Sequence, residues 1–140
     1  EQVEAKQAAQ EVYQTQVKLL NDRLERRGGN REVWVRRYNV IGEQATTDEL
    51  IKWSEESHAR LEQLEREKSL EPMHSDEARQ DLVGLDKEYQ AATDDGAKRW
   101  IDHQRTTLNQ LIQIHDANIV SIEASRRLTE KLIHEIDGDV

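Results

Sequence analysis

The sequence predicts an all-α fold, and three observations lead to this prediction. Only one Pro and six Gly occur in 140 residues, so there is little material for turns. Glu, Gln, Lys, Arg, Leu and Ala, which have high helix propensities, are abundant. Apolar residues recur at intervals of three and four, the spacing of one helix face. We therefore expect one domain over residues 1–140, an elongated antiparallel bundle of four long helices and one short helix.

The first helix is predicted over residues 1–27. Gly28 and Gly29 then supply a C-terminal stop, because glycine readily adopts the left-handed conformation that ends helices. The inward stripe at 4-3-4 spacing is Tyr13, Val17, Leu20 and Leu24. A weaker upstream continuation of it is Val3, Ala5, Ala8, Ala9 and Val12.

A short second helix is predicted over residues 31–44, with Asn30 as its N-cap. Its inward stripe is Trp34, Tyr38, Ile41 and Ala45. The β-branched and aromatic residues of this segment also suit a strand. A helix is favoured because the sequence offers no second strand to pair with it.

The third helix begins at a capping box, in which the Thr46 hydroxyl and the Glu49 carboxylate each accept from the other's backbone amide. It is predicted to run to about Leu70, and Pro72 is expected to end it because proline disfavours a helical residue before it. The residues predicted to face inward are Leu50, Trp53, Leu61 and Leu64.

Ser75 is predicted to cap a fourth helix, which carries an inward stripe of Ala78, Leu82, Leu85, Tyr89 and Ala92. The stripe shifts by one residue at residues 94–96, which indicates a turn or a kink. We favour a turn with Asp95 as the cap of a long final helix over residues 97–136. The inward stripe of that helix is Ile101, Leu108, Leu111, Ile112, Ile119, Ile122, Leu132 and Ile136.

Several classes of protein are disfavoured by composition. The chain contains no Cys, and its apolar runs are shorter than the roughly 20 residues of a transmembrane helix. A net charge of −9 disfavours nucleic-acid binding. The sequence contains no phosphate-binding loop, nucleophile elbow or zincin motif, so we expect no enzyme and no cofactor.

Two Glu-x-x-His segments raise the possibility of a metal site, Glu55 with His58 and Glu71 with His74. Pro72 is expected to keep the second pair from sharing a helix face. Acid-rich helices also produce this spacing by chance, so no metal site is predicted.

The strongest asymmetry is electrostatic. Residues 23–37 hold six Arg and two Glu, a local charge of +4, which leaves −13 for the rest of the chain. The segment would lie at the turn between the first two helices, where free N-terminal amides favour anions. The residues predicted to bind a small anion or an acidic protein partner are Arg27, Arg31, Arg36 and Arg37. The alternative is that these arginines pair with acidic faces of neighbouring helices.

Polar residues interrupt the inward stripe of the final helix. The residues predicted to form the interface of a homodimer are His115, Asn118 and Ile122. Such polar layers would fix the register and partner number of a long helical seam. The alternative is a polar ligand pocket or a pH-sensitive seam centred on His115. Trp34, Trp53 and Trp100 are expected to be core fillers, because the chain has no Phe.

In broad outline the predicted bundle resembles the four-helix sensor domains of bacterial chemoreceptors and histidine kinases, in architecture alone. That resemblance implies a periplasmic or extracytoplasmic sensory domain that binds a small anion through the arginines. The alternative is a structural or adaptor coiled-coil bundle that mediates protein–protein assembly, and the alternative location is the cytoplasm.

Overall fold

The computed structural model describes the backbone of residues 2–138, together with the side chains of residue 7 and residues 10–138. It contains three helices, α1 (Gln2–Ile41), α2 (Thr47–Ala91) and α3 (Asp95–Gly138). The all-α prediction is confirmed, and residues 33–41 are helical rather than a strand. The prediction of four long helices and one short helix is wrong. The upstream stripe residues Val3, Ala5, Ala8 and Ala9 lie outside the described side chains.

The chain divides into two compact units, and each takes a segment of every helix. Unit 1 comprises Glu1–Asn21 and Glu71–Asn118, and unit 2 comprises Asp22–Leu70 and Ile119–Val140.

Unit 2 is built on an apolar cluster of Val33 and Val40 from α1 with Leu132 and Ile136 from α3. Ion pairs give the helix directions. Arg36 pairs with Glu56 and Arg26 faces Glu67, so residue numbers on α1 rise as those on α2 fall and the two segments are antiparallel. The residues that pack around the cluster are Ala45, Leu50, Trp53 and Leu128.

Unit 1 pairs α2 with α3 in antiparallel register. Ser75 Oγ donates to Asp116 Oδ1 at 2.8 Å, and Arg105 Nη1 lies 3.1 Å from Asp86 Oδ1. The predicted stripe of the final helix is confirmed within this unit, since Ile101, Leu111 and Ile112 are buried.

The predicted break at Gly28 and Gly29 is wrong, because α1 continues through both glycines. A glycine stop needs a positive φ, and neither of these two glycines has one. Asn30 is therefore not an N-cap, and its Oδ1 accepts a hydrogen bond from Arg60 Nη2 at 3.1 Å. The helix continues because residues on both sides of the glycines contact the same two neighbouring helices.

The predicted stop at Pro72 is also wrong, because α2 passes through it. Pro72 is exposed, whereas Glu71 and Ser75 on either side are buried against α3. These contacts hold the helix across the residue that lacks an N–H group. Ser75 is consequently an interior residue of α2 and not a cap.

Local hydrogen bonds define the two connections between helices. Glu43 has a φ of 56°, and the amides of Glu43 and Gln44 donate to the carbonyls of Val40 and Asn39, which forms a Schellman motif. The predicted capping box is confirmed, with Glu49 N donating to Thr46 Oγ1 at 3.1 Å and Thr46 N donating to Glu49 Oε1 at 3.0 Å.

A break between helices is present near the predicted residues 94–96, but the non-helical residues are 92–94 and the cap differs. Asp95 is the first residue of α3, and Asp94 Oδ1 accepts from the Gly96 amide. Asp94 therefore occupies the cap position predicted for Asp95, because its carbonyl already accepts the first helical bond, from Lys98.

The predicted inward stripe of α1 is wrong, because most of its residues are exposed. The residues that α1 buries instead recur every seven positions and are Leu19, Arg26, Val33 and Val40. The exposed members of the predicted stripes are Tyr13, Val17, Leu20, Leu24, Trp34, Tyr38 and Ile41. The α1 sequence thus carries two helical stripes with the same period, and the buried one contains an arginine.

Candidate functional site

The arginine-rich segment lies entirely inside α1, so its side chains project on different sides of one helix. The predicted turn between two helices is absent there, and helix N-terminal amides contribute nothing to an anion site. The four predicted arginines divide into two pairs, Arg36 with Arg37 and Arg27 with Arg31.

Arg36 and Arg37 are engaged within unit 2. Arg36 Nη2 lies 2.7 Å from Glu56 Oε2 and also pairs with Glu32, and its guanidinium lies over the Trp53 ring. Arg37 forms a forked pair with Glu135 at 2.6–3.0 Å, which raises the pKa of the guanidinium. Pairing with acidic residues of neighbouring helices was the alternative interpretation, and these two arginines follow it.

Two further arginines, outside the predicted set, are partly or fully buried. Arg26 donates from Nε to Ser121 Oγ at 3.4 Å, and Arg60 reaches Asn30 across the α1–α2 contact. Burial lowers the pKa of Arg60. The guanidinium of Arg60 fits there because position 29 has no Cβ, which would lie 2.1 Å from Arg60 Nη1. A glycine pair inside a long helix was the signal for this close approach.

Arg27 and Arg31 project from α1 into solvent, and among the described residues neither forms an ion pair. They share a stripe with exposed apolar residues at 3-4-3-4-3 spacing. We call this stripe the α1 face, and it consists of Leu24, Arg27, Arg31, Trp34, Tyr38 and Ile41.

The α1 face is an unusual surface for a chain with so few aromatic residues. Trp34 is 59% exposed and Tyr38 is 74% exposed. The Arg37 guanidinium lies 4.8 Å from the centre of the Trp34 ring, and this cation–π contact helps to fix the orientation of the indole. Trp34 is therefore not the core filler that the sequence predicts, whereas Trp53 packs against the apolar cluster of unit 2.

His115, Asn118 and Ile122 are all buried within the folded chain. His115 Nδ1 hydrogen-bonds to Glu71 Oε1, which lies on α2. A contact with a second copy through these side chains would require the helices of the chain to separate, and the homodimer interface stays a prediction.

Glu71 and His74 do share a helix face, since α2 continues through Pro72, and His74 Nδ1 lies 3.8 Å from Glu71 Oε2. The expectation that Pro72 separates them is wrong. Among the described side chains, those of residue 7 and residues 10–138, no three His, Asp or Glu are grouped so that they could hold a metal ion.

Comparison of the chain with protein-family models, with curated proteins and with solved structures finds no match. None of the three helices, over the residues described, has an apolar stretch long enough to cross a membrane.

Proposed function

We propose that this chain is a non-enzymatic adaptor domain whose α1 face binds an acidic amphipathic helix of a partner protein. The observation that carries the proposal is the 3-4-3-4-3 stripe of large apolar and arginine side chains that α1 leaves exposed. This spacing is the one by which a helix packs along another helix in a coiled coil. The stripe covers 18 residues, or about 27 Å of helix.

The composition of the face indicates the chemistry of the partner. Leu24, Trp34, Tyr38 and Ile41 supply apolar anchors, and aromatic anchors commonly dominate the energy of protein interfaces. Arg27 and Arg31 add two positive charges without partners among the described side chains. Carboxylates on the partner helix would pair with them.

A second copy of this chain is a less suitable occupant of the α1 face. Two copies in parallel register would place Arg31 against Arg31, whereas an antiparallel pair that overlaps along the whole face would place Arg27 against Tyr38 and Arg31 against Trp34. Like charges oppose the parallel seam, and the antiparallel seam leaves Arg27 and Arg31 without carboxylate partners. Charge therefore favours an acidic partner, and a small anion receives no comparable support because Arg36 and Arg37 are engaged.

The experiment uses two synthetic helices of 21 residues that differ only in charge. Both carry Leu at the first and fourth position of each heptad, and one has Glu and the other Lys at the flanking positions. We expect the Glu peptide to bind in isothermal titration calorimetry and the Lys peptide to bind at least about tenfold more weakly. Equal binding of both peptides would contradict the proposal.

Matched variants locate the binding. The double change Trp34→Ala and Tyr38→Ala should weaken the Glu peptide at least about tenfold, because it removes the two aromatic anchors. Reversing charge with Arg27→Glu and Arg31→Glu should weaken it similarly. Two controls change an exposed apolar residue and an exposed arginine on other surfaces, and neither should have an effect. The controls are Val120→Ala and Arg66→Glu, at exposed positions of α3 and α2.

The oligomeric state gives a second test. Sedimentation should show that the free chain does not associate through the α1 face. If the chain forms a dimer, and Trp34→Ala with Tyr38→Ala converts it to a monomer, the α1 face binds a second copy of the chain and not an acidic partner.

A further inference from the structure

Unit 1 contains a groove of about 790 Å³ between its three helical segments. Its apolar floor is formed by Val12 of α1, Leu85 of α2, and Leu108 and Leu111 of α3. Volumes of this size are typical of sites that take small organic ligands. The groove lies outside the α1 face as defined above, and nothing in the proposed function uses it.

The space exists because several positions around it carry small or β-branched polar side chains rather than large apolar ones. Thr15 and Thr107 line the groove from α1 and α3, and Gly84 lines it from α2. A Cβ built on Gly84 would meet no atom within 4 Å. A larger side chain at this position would therefore project into open space rather than into a packed neighbour.

The rim of the groove is acidic. Four exposed carboxylates surround it, and none of them forms an ion pair with a described residue. They are Glu11, Glu77, Asp81 and Glu88. None of the described residues that line the groove is Lys or Arg, and its one histidine, His103, has its ring 6.0 Å from that of Trp100.

Trp100 also lines the groove and is 38% exposed. The face of an indole attracts cations through its quadrupole, and this attraction adds to that of the carboxylates. The apolar floor, by contrast, gains free energy only when apolar surface is buried against it. The lining thus combines two requirements, an apolar body and a positive charge.

We propose that the unit 1 groove binds an amphiphilic organic cation, with its apolar body on the leucine floor and its ammonium group among the rim carboxylates. The same features exclude an anion of equal size, because the four carboxylates would repel it. The inference stands apart from the proposed function, since it concerns a different surface and the opposite charge.

The test compares two small molecules with the same phenyl ring and alkyl chain, 4-phenylbutylamine and 4-phenylbutyrate. Titration of the full chain followed by methyl NMR should show that the amine shifts the signals of Leu85, Leu108 and Leu111. The carboxylate should bind at least about tenfold more weakly. Equal binding of both, or shifts elsewhere without shifts at these leucines, would overturn the proposal.

Gly84 provides a variant that fills the groove without displacing a neighbour. Gly84→Leu should abolish binding of the amine, while Gly84→Ala, which adds a single methyl group, should largely keep it. Circular dichroism and thermal melting establish that both variants are folded, and both should be at least as helical as the parent chain. Amine binding that survives Gly84→Leu would place the ligand elsewhere.

The role of the rim is tested separately. Asp81→Asn with Glu88→Gln should weaken the amine at least about threefold, whereas Glu62→Gln with Glu65→Gln, which removes the same charge from unit 2, should not. If both pairs weaken amine binding equally, the amine is attracted by the overall negative charge of the protein and not by the rim carboxylates, which would overturn the proposal. Trp34→Ala with Tyr38→Ala should leave amine binding unchanged, so the groove and the α1 face can fail independently.

Discussion

The guanidinium of Arg60 occupies the space that a side chain at residue 29 would fill. Gly28, the preceding residue, has no atom within 4 Å of an added Cβ. The two adjacent glycines therefore lie in the same helix but differ in what they face. This difference provides a matched pair of substitutions.

Gly28→Ala should raise the free energy of unfolding by about 1 kcal/mol, the difference in helix propensity between the two residues. Gly29→Ala should give no such gain, because Arg60 must move and its hydrogen bond to Asn30, worth about 1 kcal/mol, is lost. Urea denaturation measures both values. In an Arg60→Ala background the two substitutions should become equally stabilising, and a persistent difference there would contradict this explanation.

Replacing Glu43 tests the Schellman motif that ends α1. Its φ of 56° lies in the left-handed region, which costs about 1 kcal/mol or more for a residue with a Cβ. Glu43→Gly should therefore stabilise the chain by about 1 kcal/mol in thermal or urea denaturation. Glu43→Ala is the control, because it removes the carboxylate but keeps the strained Cβ. A gain from the alanine as large as that from glycine would show that charge and not backbone strain is responsible.

The buried Glu71–His115 hydrogen bond should behave as a unit. Replacing either residue alone by Leu leaves its buried polar partner without a hydrogen bond. Each single replacement should therefore lower the free energy of unfolding by roughly 1–3 kcal/mol, and by more for a charged partner. The double replacement leaves no such group and should cost less than the sum of the two single changes. A double-mutant cycle in urea measures this coupling, and strict additivity would contradict it.

Acid should remove a specific stabilising contribution of Glu123. Hydrogen bonds from Arg126 and the contact with Lys68, at 3.0 Å, hold the pKa of the Glu123 carboxyl well below its ordinary value of 4.5. Because the pKa is lower in the folded chain, this stabilisation is present above pH 4.5 and is lost as the pH falls towards the folded-state pKa.

The measurement compares the parent chain with Glu123→Gln by urea denaturation between pH 7 and pH 2. The parent should be the more stable at neutral pH, and the difference should shrink below about pH 5. Glu62→Gln, at an exposed residue of α2 that forms no ion pair with a described side chain, is the control. A difference between parent and Glu123→Gln that is constant over this range would contradict the assignment.

The elements that depend on local chemistry could be predicted from the sequence. The Thr46–Glu49 box involves residues three positions apart, and the break between α2 and α3 shows as a one-residue shift in the apolar stripe. Other local signals were misleading. Helix ends are usual at residues such as Gly28, Gly29 and Pro72, but here contacts between residues distant in sequence keep the helices continuous.

A second pattern in the sequence does predict the continuity of these helices. The buried residues Arg26 and Val33 keep a seven-residue interval across the two glycines. In α2 the buried residues Leu64, Glu71 and Ser75 keep helical spacing across Pro72. The helical spacing of the stripe is unbroken at both places, whereas it shifts at residues 94–96. An unbroken spacing is therefore a better predictor of helix continuity than the presence of Gly or Pro.

The candidate site was harder to predict for a different reason. Periodicity identifies a stripe but does not decide whether that stripe is buried, and α1 has two. The buried stripe contains the polar residue Arg26, whereas the exposed stripe has more aromatic and aliphatic residues and therefore gives the stronger apolar pattern. The stripe that is taken as buried determines which arginines are expected to face solvent. Of the four predicted arginines, Arg27 and Arg31 do so.

The presence of two stripes on α1 restricts changes in the length of this helix more than changes in its composition. One residue inserted between Val33 and Val40 would rotate everything that follows by about 100°. The rotation would turn Val40 away from Leu132 and Ile136 and carry the following part of the α1 face out of line with Leu24. Related chains should therefore differ here by substitution, or by gain and loss of whole heptads, and not by single insertions or deletions.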